Sequence, residues 1–309
     1  MNFEETPNIP FQKVTLEDKE WINQRLAESD YNGCEYSFSN IYLWSTMLEF
    51  EIANYKNFLI IKVKEGEKTF YYFPAGSGDL SLVLEDLKLL SKQKSEPLIF
   101  GNVTKEHMEL IEGIMPGAFE YVQHRRASDY IYSREKLVTL AGKKLHGKRN
   151  HINRFKDNPN WSFEFIDEEN IHECYGMSIA WSLQHFGGNT FDSDFCAVQK
   201  AFDNFNAIDL VGGLIRQEGR VIAFTMGAPL NSNTFVIHIE KAYHEIQGAY
   251  QIINQQFAKH LPDHIEYINR EEDLGNEGLR RSKMSYQPDI LLCKHIATLK
   301  ELKSYDHNR

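Results

Sequence analysis

One order of elements is laid out twice along this chain. In the first half, residues 21–26 and the aromatic stretch 36–48 read as helices. Strand-like runs follow at 50–53, 58–63 and 69–73, the last two joined across Glu65-Gly66-Glu67 as a hairpin. Gly76-Ser77-Gly78-Asp79 then breaks the chain and caps a helix with Leu80, Val83, Leu84, Leu87 and Leu90 at helical spacing. A strand at 97–103, a helix opened by Thr104 and a strand pair formed by 119–122 with 130–132 complete this half. The second half begins with a helix over 137–155, a strand at 161–166 and helices at 171–185 and 194–204. Strands follow at 208–215, 221–227 and 234–239, then a break at 243–247 and a helix at 248–261. A strand at 265–268, a helix near 277–286 and a strand at 290–293 end it.

Each half therefore reads as antiparallel meander, helix, strand, helix, strand. A helix joining two strands of one sheet makes a right-handed crossover, so each sheet should be antiparallel at one side and parallel in the middle. The expectation is an α/β (α+β) protein with two mixed-sheet domains, 1–130 and 131–309, joined near 125–133 without a flexible linker. A chain of 309 residues that is 42% apolar can supply two cores.

Charge narrows the function. With 34 basic against 44 acidic residues, the chain is not coated in positive charge for nucleic acid. A local patch remains: Lys143, Lys144, Lys148, Arg149, Arg154 and Lys156, with His146 and His151 between them. Cys34, Cys174, Cys196 and Cys293 form no CxxC pair and read as reduced thiols. The acidic N-terminus has no signal-like apolar core, and no apolar run approaches the roughly 20 residues that span a bilayer. A cytoplasmic protein is expected, with any membrane work done peripherally, from the surface.

Several stretches carry a resemblance. Phe-Val-Ile-His-Ile-Glu-Lys-Ala at 235–242 is followed by Gly-Ala-Tyr-Gln at 248–251. Tyr-Ile-Asn-Arg-Glu-Glu-Asp-Leu-Gly at 267–275 is followed by Gly-Leu-Arg-Arg-Ser-Lys at 278–283 and by Tyr286. These resemble the C-terminal catalytic domain of phosphatidylglycerol lysyltransferases. The basic stretch 143–153 resembles the helix that opens the second half of the related Fem-type peptidoglycan aminoacyltransferases. The order of elements is similar to a tandem GNAT-like acyltransferase fold. That resemblance implies that the strand at 234–242 splays from its neighbour, leaving a wedge for an activated acyl group. It also implies that the following loop and helix present backbone N–H groups to a diphosphate. The first half becomes a scaffold that walls the cleft. Tyr250 stands where the acetyl-CoA version of this loop wants a small residue, and Glu245 is ill placed beside a diphosphate.

The residues themselves suggest roles. Asn269, Arg270, Glu271 and Asp273 crowd charge at a strand's end, where Glu271 or Asp273 could take a proton and Arg270 could grip a carboxylate or phosphate. Glu240 is a candidate base, with His238 on the same face and Lys241 next to it. If that face points into the core, these side chains must instead be paired structural groups. Arg280, Lys283 and Tyr286 share one helix suited to an anion, and Lys283 or backbone N–H groups could stabilise an oxyanion. Gly248, Ala249, Tyr250 and Gln251, with Lys143, Lys144, Lys148 and Arg149, would hold the donor or its phosphates. No HExxH is present, so no metal is expected. The expected reaction moves an aminoacyl group from aminoacyl-tRNA, held by its 3′ end, to an amine or hydroxyl of a small molecule, peptide or lipid headgroup. No tightly bound cofactor is expected. An acyl-CoA-dependent N-acyltransferase and a non-catalytic binding module that keeps the fold are the alternatives.

Overall fold

The computed structural model describes residues 7–45, 47–186 and 193–300. The first half runs β1 (Gln12–Lys13), α1 (Lys19–Ser29), α2 (Phe38–Trp44), β2 (Glu51–Tyr55), β3 (Phe58–Glu65), β4 (Lys68–Tyr72) and β5 (Ala75–Gly76). It continues through α3 (Leu80–Lys94), β6 (Ile99–Val103), α4 (Lys105–Ile114) and β7 (Phe119–Gln123). Then come β8 (Asp129–Ser133), α5 (Arg134–Thr139), α6 (His146–Lys156), β9 (Trp161–Phe165), α7 (Ile171–Phe186) and α8 (Ser193–Asp203). The chain ends through β10 (Val211–Gln217), β11 (Arg220–Pro229), β12 (Thr234–Ala242), α9 (Ala249–His260), β13 (Tyr267–Asn269), α10 (Glu277–Met284), β14 (Ile290–Leu292) and β15 (His295–Leu299).

Two mixed sheets result, as the repeated order predicts. One has the order β1-β2-β3-β4-β6-β15-β7, with β5 also on β3; the other has the order β14-β8-β13-β12-β11-β10-β9. In each, a meander is followed by a parallel neighbour: β4 with β6, and β12 with β13.

Two expectations need correction. The runs 119–122 and 130–132 do not pair with each other. β7 pairs with β15 from the far end of the chain, and β8 lies between β13 and β14. Each half thus lends a strand to the other's sheet, because residues 124–128 carry the chain across before a hairpin can close. The single helix expected over 137–155 is two. Leu140 and Gly142 take left-handed backbone (φ 48 and 91), which ends α5 and lets the chain turn into α6.

Packing follows the strand alternation. On β3, Phe58 and Ile60 face α3 and α4 with Val83, Leu84, Leu87 and Ile111, while Leu59, Ile61 and Val63 face a core shared with the second half. The shared core includes Tyr130, Tyr132, Leu214, Phe224 and Ile253. Both faces of the first sheet are therefore buried, one of them against the second half. Among the described residues, no helix is long and apolar enough to cross a membrane.

Candidate active site

The site starts from a strand that leaves its neighbour. β12 and β13 pair only at Thr234–Tyr267, Phe235–Ile268 and Val236–Asn269. Beyond that point each keeps its other partner. β12 stays on β11 as far as Ala242–Ala223, while the backbone after β13 stays on β8 through Arg270 N–H to Tyr130 O (2.9 Å) and Tyr130 N–H to Glu271 O (3.2 Å). A split opens where hydrogen bonds would otherwise have continued.

A bulge aims the side chains into it. Met226 pairs with Ile239 and Gly227 with Ile237, so His238 is the extra residue on β12. The sequence allows this because residue 227 is glycine: any Cβ there would collide with the Val236 carbonyl. Opposite, Glu271 takes left-handed backbone (φ 56), and Asn269 Oδ1 holds its N–H at 2.7 Å.

Across the split an ion pair and a histidine–carboxylate hydrogen bond form. Arg270 Nη2 lies 2.7 Å from Glu240 Oε1, with side chains 11% and 10% exposed, and Asn254 Nδ2 donates to Glu240 Oε2 at 3.3 Å. The guanidinium sits 5.1 Å from the Tyr286 ring centre and 5.9 Å from that of Tyr132. Burial opposes its charge, but the Glu240 carboxylate together with Tyr132 and Tyr286 offsets this and holds the Arg270 proton more firmly than usual. Among the described residues, its Nη1 is buried without a hydrogen-bond partner. The second contact is His238 Nδ1 to Glu271 Oε1 at 2.8 Å. His238 Nε2 is 2.7 Å from Ser39 Oγ, and Asn40 Nδ2 donates to Glu271 Oε1 at 3.2 Å. Ser39 and Asn40 come from α2, so the first half supplies part of the site.

The basic helix reaches the same place. Lys148 Nζ is 4.2 Å from the Tyr286 ring centre, and burial first, then the Arg270 charge, lowers its pKa.

Residues 26–298 match the family described as phosphatidylglycerol lysyltransferase, C-terminal. The chain belongs to that family. A protein of unknown function from Bacteroides thetaiotaomicron is 38% identical, superposes with a TM-score of 0.90, and covers 95% of this chain and 100% of its own. L-PGS from Bacillus licheniformis is 21% identical with a TM-score of 0.64, over 97% of this chain and 96% of that one. FemX is 10% identical with a TM-score of 0.59, over 94% of this chain and 97% of its own. An uncharacterized protein of Mycoplasmoides gallisepticum is 20% identical over 177 residues, and the chain spans 56% of that relative's length. The tandem GNAT-like, Fem-type fold is therefore the fold of this family member.

Other sequence candidates are placed elsewhere. Asp273 is fully buried and accepts from Arg280 Nε and Nη2 (both 2.9 Å), Arg125 Nη1 (3.1 Å), Tyr130 Oη (2.6 Å) and the Gly275 N–H (2.8 Å). Burial alone would push its carboxyl up, but the Arg280 and Tyr130 hydrogen bonds outweigh that and hold it well below the usual range. Asp273 and Arg280 are thus a structural anchor. Lys283 donates to the carbonyls of Arg270 (2.6 Å) and Glu272, so its ammonium clamps the loop and is not aimed at an oxyanion; burial lowers its pKa. Asn269 Nδ2 ties Asn32 O (3.0 Å) to Asp129 Oδ2 (2.9 Å). Lys241 points to the other face, 3.9 Å from the Trp181 ring centre.

The expected phosphate cradle is covered. Gly248 (φ 89) lies so close to α6 that a Cβ would meet His151 O at 2.5 Å, and Ala249 is buried. Tyr250 accepts from Trp181 Nε1 (3.3 Å), and Gln251 is half-buried. Arg149 is committed to the carbonyls of Leu140 and Gly142, whereas Lys143 and Lys144 are exposed. Gly76 to Asp79 acts as a cap, Asp79 accepting from the Ser81 N–H at 3.0 Å.

A buried ionic cluster fastens the halves behind the site. Lys294 Nζ contacts Glu35 Oε2 (2.6 Å) and Asp129 Oδ1 (2.7 Å), and Cys34 Sγ is 3.3 Å from Glu272 Oε2. Donor atoms of Cys34, Glu35 and Asp129 gather as for a metal, but the Lys294 ammonium supplies the positive charge there. Burial, then the Glu271 charge, lifts Glu272 to about 7. Sequence reasoning named none of Ser39, Asn40, Asn254 or Lys294 as functional, since each meets partners remote in sequence or unmarked by any motif.

Proposed function

We propose that this chain is an aminoacyltransferase that takes its acyl group from aminoacyl-tRNA and passes it to an amine or hydroxyl. The observation that carries this reading is the Arg270 guanidinium in the strand split, ion-paired through Nη2 yet with Nη1 buried and, among the described residues, unpartnered. A buried N–H without an acceptor is costly, and an ester carbonyl in the split would satisfy it. In that position the oxygen that gains charge during attack faces a fixed cation in a site partly shielded from water. Glu240, held by Asn254 and Arg270, is the carboxylate that would receive the proton from the attacking amine or hydroxyl. An aminoacyl ester is already activated, so orientation accounts for much of the rate gain. Lys148 would bring the tRNA's terminal phosphates to the split, with Lys143 and Lys144 further out on the exposed side of the same segment. Family membership supports the donor class. The covered start of α9 speaks against acyl-CoA, whose diphosphate would need the N–H groups beside Gly248.

The test is direct. The full chain is mixed with radiolabelled aminoacyl-tRNAs and cell extract, and tRNA release and acceptor labelling are followed. Glu240→Gln should slow transfer by about 10²–10⁴-fold. If the protein fails to bind any aminoacyl-tRNA at low salt, the donor is something else.

A further inference from the structure

We propose that Ser39, His238 and Glu271 form a nucleophilic centre that cleaves carboxylic esters whose acyl group fits the cavity between the two halves. This activity is separate from the tRNA-dependent transfer and stands on different observations.

The hydrogen bonds set the roles. An ionised carboxylate only accepts, so Glu271 at 2.8 Å places the ring proton of His238 on Nδ1. The Nε2 lone pair then faces Ser39 Oγ at 2.7 Å, and the one Ser39 hydroxyl proton has two acceptors within reach, that lone pair and Ser37 Oγ at 3.2 Å. Nucleophile, base and orienting acid are thus in line, which defines this chemistry whatever the chain order. Neither ring nitrogen is spent elsewhere among the described residues. Ser37 Oγ, 3.2 Å from Ser39 Oγ, accepts the Asn40 N–H and so fixes the first turn of α2.

Two further features single the cluster out. Ser39 lines a cavity of about 420 Å³ whose walls include Leu26, Phe38, Ile208 and Leu230, with two carboxylates also on the wall, Asp30 bonded by Ser232 and Asp209 by Lys19. A mostly apolar acyl group of moderate size suits such a wall. The other feature is local strain: His238 sits on a bulge and Glu271 on left-handed backbone, and the two devices bring these side chains together. A non-glycine residue in that region is strained and persists where the surroundings demand it.

The chemistry balances without a further reagent. Ser39 Oγ bonds to the ester carbonyl carbon as its proton passes to His238 Nε2, and Glu271 holds the imidazolium. The carbon–oxygen bond to the alcohol breaks, and the alcohol leaves with the proton from Nε2. Water then attacks the Ser39 ester, its proton passes through His238 back to Ser39 Oγ, and the acid is released.

A fluorophosphonate probe tests this without any tRNA, so a failed donor assignment and a failed centre are told apart. The folded full chain is treated with the probe, digested and mapped by mass spectrometry, beside heat-denatured chain and a serine-protease control. Ser39 should be modified in the folded chain and not in the denatured one. His238→Gln, checked for folding by circular dichroism, should slow that labelling by about 100-fold or more. An unmodified Ser39 in wild-type protein, under conditions that fully label the control, overturns the proposal. So does labelling of Ser39 at the same rate in the folded His238→Gln variant.

Discussion

Each half of the molecule contains a place where two parallel strands end side by side, and the two places are filled in opposite ways. In the first half, β4 stops at Tyr72 and turns into β5, which pairs back onto β3. The space beside β6 is packed with rings: Phe73 stacks on His107 at 4.5 Å, while Tyr31 and Tyr36 meet His107 edge-on at 4.4 and 5.7 Å. In the second half, β12 runs on to Ala242 without β13, and the space holds Glu240, Arg270, His238 and Glu271. Rings beside a strand pair stabilise by burial and close the gap. Charges in the same position must be paired at a cost in desolvation, and that cost is borne where a reaction needs them. Under the function we propose, the first half is the wall and the second the reactive side, with Ser39 and Asn40 the wall's direct contribution.

The strongest way to break this contrast is to remove one charge from the second gap. Arg270→Met leaves the Glu240 carboxylate, only 10% exposed, without its cation. Deleting one partner of a buried pair costs about 3–5 kcal/mol. Urea unfolding should show a loss of that size, and Glu240→Gln combined with Arg270→Met should recover much of it, because neither charge then remains. A single-variant loss below about 1 kcal/mol would mean that the pair behaves as a solvated surface contact, and the contrast with the packed first gap would collapse.

Much of this architecture was readable from residue spacing. The repeated meander and crossover pointed to two mixed sheets, and the charge around Asn269 to Asp273 lies where β13 stops pairing with β12. The exchanged strands were not readable, because 119–122 and 130–132 are as good a local pair as any; only the distant β15 displaces that pairing. The division of labour inside the acidic run was equally hidden. Glu271 and Asp273 are chemically similar in sequence, yet one faces His238 and the other is enclosed by Arg125, Arg280 and Tyr130. Ser39 carried no local signal, since its partner lies 199 residues away.

A smaller effect tests the first gap. Burial, then the Lys294 charge, lowers His107 to about 3, and its Nε2 has no partner. The folded state therefore keeps His107 neutral while the unfolded chain binds a proton below about 6.5. Its share of stability is intact above that pH and is lost as pH falls toward 3, at about 1.4 kcal/mol per pH unit. Glu272 works the other way, since a carboxyl raised to about 7 weakens the fold as pH rises from its ordinary value to 7. His107→Phe keeps a ring on Phe73 and removes only the first dependence. Between pH 7 and pH 5 it should lose about 2 kcal/mol less than wild type in urea melts. Equal losses would show that His107 is hydrated, and that the first gap is less dry than its rings suggest.

The mildest test compares paired basic residues of the first half with exposed ones of the second. Lys19 and Arg25 of α1 are occupied by Asp209 (2.8 Å) and Glu28 (2.9 Å), whereas Lys143 and Lys144 stand exposed ahead of α6, on the segment that leads to Lys148 and the split. If the second half alone meets the donor, Lys143→Ala with Lys144→Ala should flatten the salt dependence of aminoacyl-tRNA binding. The slope of log K against log salt should fall by about 0.7 for each single-strand phosphate that is no longer neutralised. Lys19→Ala with Arg25→Ala should leave that slope unchanged, and the exposed Lys143 and Lys144 pair should not move stability by more than about 0.5–1 kcal/mol. A reversal, with the α1 pair carrying the salt dependence, would place the tRNA on the wall and detach the basic helix from the chemistry at Arg270.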